Sequence, residues 1–520
     1  MPNDRFDLNP RRLAWLLVAL AACLTFAPAL GADWLWDDHF FFDPLAPSLR
    51  SPLHVFEVFT RDLFSASTLG QRQDTYRPLT VWAWTWVVAF TGGKAWALHA
   101  WSLLLHAGGS VLVLELALAM GAPLRAATLA GVAFAASTAQ AEAAVWISAV
   151  HGVAETGFVL GAALAALRLR GIRQGTVVVV CSIGALFCKE SGVLAAMTGV
   201  AFAAAVAWRE APSDPKWWRG PVALAGALAA VLLAYLMWRA RLELPVGRPP
   251  FSAAGVLSLA GLLGQSLLLP AWPDVCRPLM PLTAALPGVA VLLAISVLAL
   301  WYSHARLLVW VALGLALATL LLLGPIAAQT TIASDRYLYL PQALLWAGVA
   351  TALPDWNSTG LAPRGRLALA VTGLWLVLRA ALGYLSVVDL ADDVAAFAHS
   401  VAEHPENPET HYHLGVALLR VQRIDAAVAA LEQGLQLRPN DPRMWSNLTG
   451  ILINAHREEQ AVALIPRFEA ILPPSAKAAY NLGLAAQRRG DQGTATRLGL
   501  RALALDPNYA HAKVLLAPAP

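Results

Sequence analysis

The sequence predicts an all-α protein in two parts, a polytopic membrane domain (residues 1–390) and a helical repeat domain (residues 391–520). The chain has 520 residues, of which 58% are hydrophobic and 13% are charged. Its mean hydropathy is +0.57, and many apolar stretches approach the length that spans a bilayer. From about residue 400 the composition turns polar and a 34-residue period begins.

Charge and cysteine content exclude several function classes. The net charge of +4 comes from short basic clusters between apolar runs, which is typical of topology signals and gives no indication of a nucleic-acid partner. The four cysteines lie in or beside apolar segments without paired spacing. They therefore predict neither a disulfide framework nor a metal knuckle.

The first helix, about 13–31, orients the chain. Arg5, Arg11 and Arg12 precede it and are expected in the cytoplasm. The same stretch resembles a secretory signal, but many spans follow, so we interpret it as an uncleaved helix. The N-terminus is then cytoplasmic, and the loop that follows faces the outside.

That loop, residues 32–80, carries the adjacent carboxylates Asp37 and Asp38. A loop this long favours a functional role, the alternative being a solvated acidic loop. Residues 51–64 space their apolar side chains at helical period and predict an amphipathic helix on the membrane. Residues 77–91 predict a second interfacial helix with Trp82, Trp84 and Trp86 at headgroup level.

Eleven transmembrane spans are predicted, about 13–31, 96–120, 124–140, 143–167, 175–188, 191–208, 218–238, 282–301, 307–326, 338–353 and 367–386. Residues 77–91 are not counted, because a span there would place Arg168, Arg170 and Arg173 outside. With this count the predicted cytoplasmic turns are basic. Residues 251–270 are predicted as an outer interfacial segment, and the carboxy-terminal domain lies outside.

The repeat region has the period of tetratricopeptide repeats (TPRs). Three positions of the repeat recur every 34 residues with the same residue type. They are the prolines Pro439, Pro473 and Pro507, the leucines Leu414, Leu448 and Leu482, and the alanines Ala427, Ala461 and Ala495. Such units pair two helices and stack, because no unit buries its apolar face alone. Three repeats are predicted, about 408–441, 442–475 and 476–509. They could bind a peptide, dimerise or cap a neighbouring domain.

Ionisable residues inside or beside apolar runs indicate a polar cavity. Each one alone could be a structural ion pair or a snorkelling side chain. The predicted topology, however, places seven of them on the outer side: Asp37, Asp38, Arg77, Glu142, Lys189, Glu190 and Arg336. We therefore expect them to share one cavity.

His99 and His106 lie seven residues apart on one helix, and hence on one face about 10 Å apart. That separation is too large for both to bind one ion. They are interpreted as cavity-lining or packing residues, with packing favoured. No glycine-rich phosphate loop or nucleophile elbow is present in the sequence, so no nucleotide cofactor is implied.

A family resemblance rests on an ordered series of motifs: WDDHFFFDP, TYRPLT, LHAWSLLLHAGGSVLV, AEAAVWISAVHG, CKESG and SDRYLYLP, followed by TPRs. Together these resemble the transmembrane-and-TPR O-mannosyltransferases (TMTC family) and their bacterial relatives, which have the GT-C fold. The match covers nearly the whole chain in order. This chain departs from the family at Thr138-Ala139-Gln140 and at Trp101.

The resemblance implies transfer of one sugar, mannose or a similar hexose, from a polyprenyl-phosphate donor to a protein hydroxyl on the outer face of the membrane. It implies that the Asp37-Asp38 pair supplies the base, Asp37 first, and that Glu142 is the acidic residue of the second outer loop. The donor-binding candidates are Arg77, His99, His106, Lys189, Glu190, Arg336 and Tyr337. The implied partners are the lipid donor, membrane lipid and an acceptor protein or peptide, which could bind in the TPR groove.

The chemistry is consistent with these residue types. An acceptor hydroxyl that attacks the anomeric carbon needs a carboxylate base, and the departing phosphate needs cations. Arg77, Lys189 and Arg336 could serve without a metal ion. A divalent metal held by Asp37 and Glu142 stays an alternative.

Other functions stay open from the sequence. One is a lipid-linked glycan ligase or polymerase; another is a non-enzymatic TPR scaffold, which eleven spans disfavour because one or two would suffice as an anchor. A transporter is disfavoured because no pair of Gly/Pro-broken spans occupies matching halves. The Ala/Leu/Arg-rich composition favours a bacterial inner membrane, with the TPR domain in the periplasm.

Overall fold

The computed structural model describes residues 9–65, 67–68, 75–244, 249–269, 272–356, 363–471 and 475–516. Within these ranges the regular secondary structure is helical, which confirms the predicted all-α class. The chain separates into two compact units, Met1–Asp392 and Asp393–Pro520.

The first unit contains sixteen α-helices in the described ranges: α1 (Pro10–Thr25), α2 (Asp38–Phe42), α3 (Val55–Thr60), α4 (Pro78–Thr91), α5 (Ala95–Met120), α6 (Leu124–Ala135), α7 (Ala141–Val145), α8 (Val150–Arg168), α9 (Gly171–Cys188), α10 (Val193–Glu210), α11 (Arg219–Arg241), α12 (Ala253–Leu268), α13 (Leu282–Tyr302), α14 (Arg306–Thr330), α15 (Tyr339–Ala350) and α16 (Pro363–Asp389). Short 3₁₀ turns join several of them, notably Thr138–Gln140, Glu190–Gly192 and Asp335–Leu338.

Eight segments of the described chain are long and apolar enough to cross a membrane: Ala95–Met120, Ile147–Arg168, Gly171–Cys188, Glu190–Glu210, Arg219–Arg241, Leu282–Tyr302, Arg306–Thr330 and Gly365–Asp389. Each coincides with a predicted span. The protein is therefore an integral membrane protein.

The other three predicted spans are shorter helices, α1, α6 and α15. The twelve residues of α6 extend about 18 Å, whereas the apolar core of a bilayer is about 30 Å thick. α6 ends at Ala135 because the chain then turns into the 3₁₀ segment that precedes Glu142. The total of eleven spans stays a prediction.

The outer loop is more structured than the sequence indicated. The amphipathic helix predicted over 51–64 is divided into a 3₁₀ turn, Pro52–His54, and the six-residue α3. The helix ends before Asp62, whose side chain accepts hydrogen bonds from the backbone amides of Phe64 and Ser65. These local bonds compete with helical ones.

Helix α4 forms as predicted over residues 78–91, but one of its tryptophans lies elsewhere. Trp84 is fully buried and its ring packs against Phe41 and Phe42, so its predicted place at headgroup level is wrong. Alternate residues on a helix are about 200° apart and cannot share a face. Trp86, by contrast, is exposed.

Within the segment predicted over 251–270, α12 (Ala253–Leu268) is a packed helix. A methyl group at Gly264 would lie 1.8 Å from the carbonyl oxygen of Gly288 on α13, and one at Gly255 would lie 2.0 Å from that of Gly324 on α14. Glycine therefore permits both close approaches, as is common between membrane helices. α12 is a component of the helix bundle and does not lie as an exposed segment on its surface.

The second unit contains eight described α-helices: α17 (Asp393–Glu403), α18 (Pro408–Arg420), α19 (Ile424–Leu437), α20 (Pro442–Asn454), α21 (Glu458–Ala463), α22 (Ile465–Glu469), α23 (Ala476–Arg488) and α24 (Gln492–Leu505). Antiparallel pairs follow the 34-residue period. The second helix of the middle pair is divided at Pro466, which lacks the amide hydrogen that a continuous helix needs.

Capping residues mark the same period. The side chains of Asn407, Asp441 and Ser475, each 34 residues from the next, cap α18, α20 and α23. The predicted periodic alanines and Leu448 and Leu482 are fully buried, while Leu414 is half-buried. Pro473 lies outside the described residues.

Candidate active site

Glu142 and Arg336 form the centre of a polar cluster in the first unit. Glu142 lies in the first turn of α7, after the Thr138–Gln140 turn, and Arg336 lies in the Asp335–Leu338 turn before α15. The Arg336 side chain forms an ion pair with Glu142, and its backbone amide donates to the same carboxylate over 3.0 Å. Ser334 donates its hydroxyl to both Glu142 oxygens, at 2.5 and 2.7 Å. Glu142 is thus fully engaged in holding the Arg336 turn.

Aromatic rings cover the Arg336 guanidinium. Its central carbon lies 4.5 Å from the centre of the Trp146 ring and 5.1 Å from that of Tyr337, within cation–π range. Trp36 stacks on Trp146, with the ring centres 5.2 Å apart and the planes nearly parallel. Burial disfavours the charged form of Arg336, but Glu142 outweighs this effect and raises the pKa of the guanidinium. Arg336 therefore stays a fixed cation.

Asp38 anchors the outer loop. Its fully buried carboxylate accepts hydrogen bonds from the Ser148 hydroxyl (2.6 Å), the Ser148 amide (2.8 Å), the Leu35 amide (3.2 Å) and the Ile147 amide (3.3 Å). Burial raises the pKa of Asp38 to about 7, and the bonds from Ser148 and Leu35 act against that rise. All the lone-pair directions of the carboxylate are used to join the loop to the start of α8.

Asp37 has a different environment. It is half-buried and precedes α2, and its charge is close enough to Arg336 to contribute to the raised pKa of that guanidinium. The preceding residue, Trp36, has a φ of +54°, a left-handed conformation that is uncommon outside glycine. The two adjacent carboxylates therefore have different environments, since Asp38 is fully buried and Asp37 is half-buried within electrostatic range of Arg336.

Lys189 lies at the edge of a small cavity. Its ammonium is 4.0 Å from a carboxylate oxygen of Glu155 and 6.0 Å from the centre of the Tyr337 ring. The cavity has a volume of about 10 Å³, enough for one water molecule, and Glu155, Lys189, Arg336 and Tyr337 are among its lining residues. Burial lowers the pKa of Lys189, and Glu155 acts in the opposite direction. The structure thus brings Lys189, Arg336 and Tyr337 together.

Arg77 and Glu190 form a neighbouring pair. The guanidinium of Arg77 donates to Glu190 over 3.4 Å, and the amide of Tyr76 donates to the same carboxylate over 2.6 Å. Neither residue lines the small cavity. Both fix the segment before α4 to the turn that carries Lys189.

His99 and His106 occupy packing positions. Both ring nitrogens of His106 are engaged, Nδ1 with the Tyr339 hydroxyl at 2.8 Å and Nε2 with the Ala135 carbonyl at 3.1 Å. The Nε2 of His99 lies 3.3 Å from the Asp33 carbonyl. Neither histidine lines the cavity, so the structure does not bring them to the cluster.

The sequence reasoning missed four contributors to this region, His151, Glu155, Ser148 and Ser334. The sequence could have indicated His151 and Glu155 as candidates, because both are polar residues in an apolar span. They are also four residues apart and therefore lie on one helix face. The His151 ring contacts the Thr80 hydroxyl, which joins α8 to α4. Ser148 and Ser334 could not be identified from the sequence, because their roles depend on which carboxylates they contact in the fold.

The alternative of a metal held by Asp37 and Glu142 does not fit this arrangement. Both Glu142 oxygens already accept hydrogen bonds from Ser334 and Arg336. Across the described ranges no group of three or more His, Cys, Asp or Glu residues is arranged to hold an ion.

Comparison with protein families confirms the repeats. A tetratricopeptide-repeat family model matches residues 391–452. The peroxisomal targeting signal receptor of Saccharomyces cerevisiae is 30% identical over 84 residues, which are 16% of this chain and 14% of that protein. The receptor of Kluyveromyces lactis is 27% identical over 99 residues, 19% of this chain and 18% of that protein. The matches thus span less than a fifth of either receptor.

Two solved structures are also similar. The TPR protein YrrB, described as having an unusual peptide-binding site, has a TM-score of 0.21 and 18% identity, covering 29% of this chain and 88% of that one. ArnT from Cupriavidus metallidurans, solved with undecaprenyl phosphate, has a TM-score of 0.43 and 16% identity, covering 88% of this chain and 80% of that one. At these scores and identities neither similarity carries an argument about this chain. What the comparisons establish is a tetratricopeptide segment at residues 391–452.

Proposed function

We propose that this protein is a GT-C-type membrane glycosyltransferase that transfers a hexose from a polyprenyl-phosphate donor to a protein hydroxyl. The observation that carries the proposal is the polar cluster in which Arg336 and Lys189 border one small cavity, with Asp37 close enough to Arg336 to act on its charge. The ordered motifs of the sequence resemble a family with that activity. The cluster contains residues from four of these motifs, WDDHFFFDP, AEAAVWISAVHG, CKESG and SDRYLYLP.

The lipid phosphate is assigned to Arg336 and Lys189. Glu142 pairs with Nη1 of Arg336. Among the contacts of the described residues, Nη2 and Nε of Arg336 are left for a phosphate oxygen. The Arg336 side chain is 21% exposed and that of Lys189 15%, so both are partly accessible while most of their water is removed. Charge-assisted bonds are strongest in such surroundings.

Asp37 is assigned as the base. The acceptor hydroxyl oxygen forms a bond to the anomeric carbon while the bond from that carbon to the phosphate oxygen breaks. The hydroxyl proton goes to Asp37, and the negative charge of the departing lipid phosphate is balanced by Arg336 and Lys189. A base opposite the leaving group gives inversion at the anomeric carbon. Asp38 is unsuited to this role because its oxygens already accept four hydrogen bonds.

The outer face of a bacterial inner membrane is proposed as the site of reaction. Arg11 and Arg168, from two basic clusters assigned to the cytoplasm, both contact Glu115, and Arg170 pairs with Glu210 at the end of α10. These clusters thus lie on one side of the helix bundle, as the proposed orientation requires. The TPR unit is proposed to present the acceptor protein in the periplasm.

The test is lipid-phosphate binding and sugar transfer by the purified full-length protein. Lys189→Ala and Arg336→Ala should each weaken binding of polyprenyl phosphate about ten- to a hundredfold, because each removes a charge-assisted contact. Arg50→Ala, at an exposed outer-loop arginine, is the matched control and should change little. Unchanged binding in both variants would reassign these cations to structural ion pairs.

The same assay separates the alternatives. Transfer from a single-sugar lipid donor supports the proposed enzyme, whereas transfer only from an oligosaccharide donor supports the ligase or polymerase. Absence of transfer from either donor, with normal folding, would favour the scaffold.

A further inference from the structure

Glu155 is a buried carboxylate that borders the candidate donor cavity and takes no part in the proposed bond changes. It lies on α8, its side chain is 5% exposed, and it lines the small cavity together with Lys189 and Arg336. Its Oε2 is 4.0 Å from the Lys189 ammonium, beyond the usual hydrogen-bond distance. Its Oε1 has no hydrogen-bond partner among the described residues. Glu155 therefore lacks the hydrogen bonds that hold Glu142 in place.

The charges around this cavity are balanced in pairs. Burying an ionised carboxylate is unfavourable unless cations lie near it. Lys189 is the nearest cation to Glu155, and Arg77 also attracts its charge, whereas Glu190 repels it. Each of the three cations in this region has one carboxylate, in the pairs Arg336–Glu142, Lys189–Glu155 and Arg77–Glu190. These pairs together add no net positive charge, and Glu155 supplies one of the three negative charges.

The phosphate of the lipid changes its charge during the proposed reaction. In the donor it is a diester with one negative charge. After the bond to the anomeric carbon breaks it is a monoester, whose second ionisation lies near pH 6, so at neutral pH it carries nearly two negative charges. Cations without counter-charges would bind this product more tightly than the donor and would delay its release. A fixed carboxylate beside the cations opposes that preference, because it repels the additional charge.

We propose that Glu155 limits the affinity of the donor site for the lipid monophosphate product and so permits its release, an inference that rests on the proposed function. The repulsion from Glu155 scales with the charge of the phosphate, so it weakens monoester binding more than diester binding. Glu155 exchanges neither a bond nor a proton with the substrate. It acts through its charge beside Lys189 and is not a catalytic residue.

The test compares two lipids that share a hydrocarbon chain and differ by one charge. Purified full-length protein is titrated at neutral pH with undecaprenyl phosphate and with its methyl diester. Glu155→Gln keeps the shape of the side chain and removes the charge, so it should tighten monoester binding about tenfold and diester binding only about threefold. Glu155→Asp keeps the charge, and the ratio of the two affinities should stay as in the unchanged protein. Weaker binding of both lipids to Glu155→Gln would show that Glu155 only holds Lys189 in place, and would overturn the proposal.

The matched control is Glu115→Gln. Glu115 is also a buried carboxylate, but it pairs with Arg11 and Arg168, whose basic clusters are assigned to the cytoplasmic side. Its substitution should leave the ratio of monoester to diester affinity unchanged. Equal changes of this ratio in Glu115→Gln and Glu155→Gln, or no change in Glu155→Gln, would overturn the proposal.

The unchanged protein supplies a second measurement if Glu155→Gln fails to fold. Because the cations of the site already have counter-charges, its affinities for the monoester and the diester should lie within about tenfold of each other. A larger preference for the monoester would overturn the proposal.

Failure of this inference is distinguishable from failure of the proposed function. In sugar transfer, Glu155→Gln should show a rapid first turnover followed by a slower steady rate, because product release becomes limiting. A charge-dependent shift in binding, without sugar transfer by the unchanged protein, would support the role of Glu155 at a phosphate site and contradict the enzyme. Sugar transfer by the unchanged protein, with the same affinity ratio in Glu155→Gln, would contradict the role of Glu155 alone.

Discussion

Replacing Asp38 by alanine should release the outer loop from the helix bundle. The change removes the acceptor for three buried backbone amides, those of Leu35, Ile147 and Ser148, and for the Ser148 hydroxyl. An unsatisfied buried donor costs about 1 to 3 kcal/mol. The hydroxyl can rotate to another partner and the loop can relax, so we expect a loss of about 3 to 6 kcal/mol in the free energy of unfolding.

The assay is thermal unfolding of the detergent-purified protein, together with hydrogen exchange of the loop and of the start of α8. Asp38→Ala should lower the unfolding midpoint and increase exchange in both segments. Asp38→Asn, which keeps one acceptor oxygen, should do less. Asp43→Asn is the control, because that carboxyl is in the same loop but 66% exposed, and exposed ion pairs contribute little. A midpoint for Asp38→Ala equal to that of Asp43→Asn would refute the anchoring role.

Two further predictions concern other carboxylates. Glu142→Gln should leave Arg336 without its counter-charge, so lipid-phosphate affinity and the unfolding midpoint should both change; a variant identical to the unchanged protein in both measurements would contradict the pairing. In the TPR unit, burial disfavours ionised Glu409, but its bonds to Arg443 and Arg438 prevail and lower its pKa. The resulting stabilisation is complete above the unfolded-state pKa, about 4.3, and is lost as pH falls through the lower folded value. The protection of the TPR helices against hydrogen exchange, relative to the unfolded chain at each pH, should therefore fall on acidification, and fall less in Glu409→Gln; an equal fall in both proteins would contradict the assignment.

Hydropathy and period were sufficient to predict most of the fold. All eight long apolar helices coincide with predicted spans, because a span must satisfy its backbone internally and be apolar over its whole length. The alanines that recur with the 34-residue period are buried in the TPR unit. Where the prediction differed, as at α6 and Trp84, the cause was tertiary contact, which decides where an apolar helix stops and which of its faces is covered.

The sequence indicated which residues lie in the candidate site, but it did not indicate the role of each residue. Polar residues at costly depths indicated Glu142, Lys189 and Arg336, and these do form one region with Asp37. The sequence could not show that the Glu142 carboxylate is already occupied by its bonds with Arg336. Nor could it show that Asp38 is enclosed by four donors, because both facts depend on contacts more than a hundred residues apart in the chain. The histidines of α5 were included as donor-binding candidates, and their ring contacts place them in packing.

The most direct test of the central claim is sugar transfer by Asp37→Asn. The substitution keeps the shape of the side chain but cannot accept the hydroxyl proton, so transfer from a polyprenyl-phosphate sugar to a periplasmic protein acceptor should fall about a hundredfold or more. Binding of the lipid phosphate should persist, since Arg336 and Lys189 are unchanged, and the loop should stay attached through Asp38. Full transfer activity in a normally folded Asp37→Asn protein would contradict Asp37 as the base and, with it, the proposed mechanism.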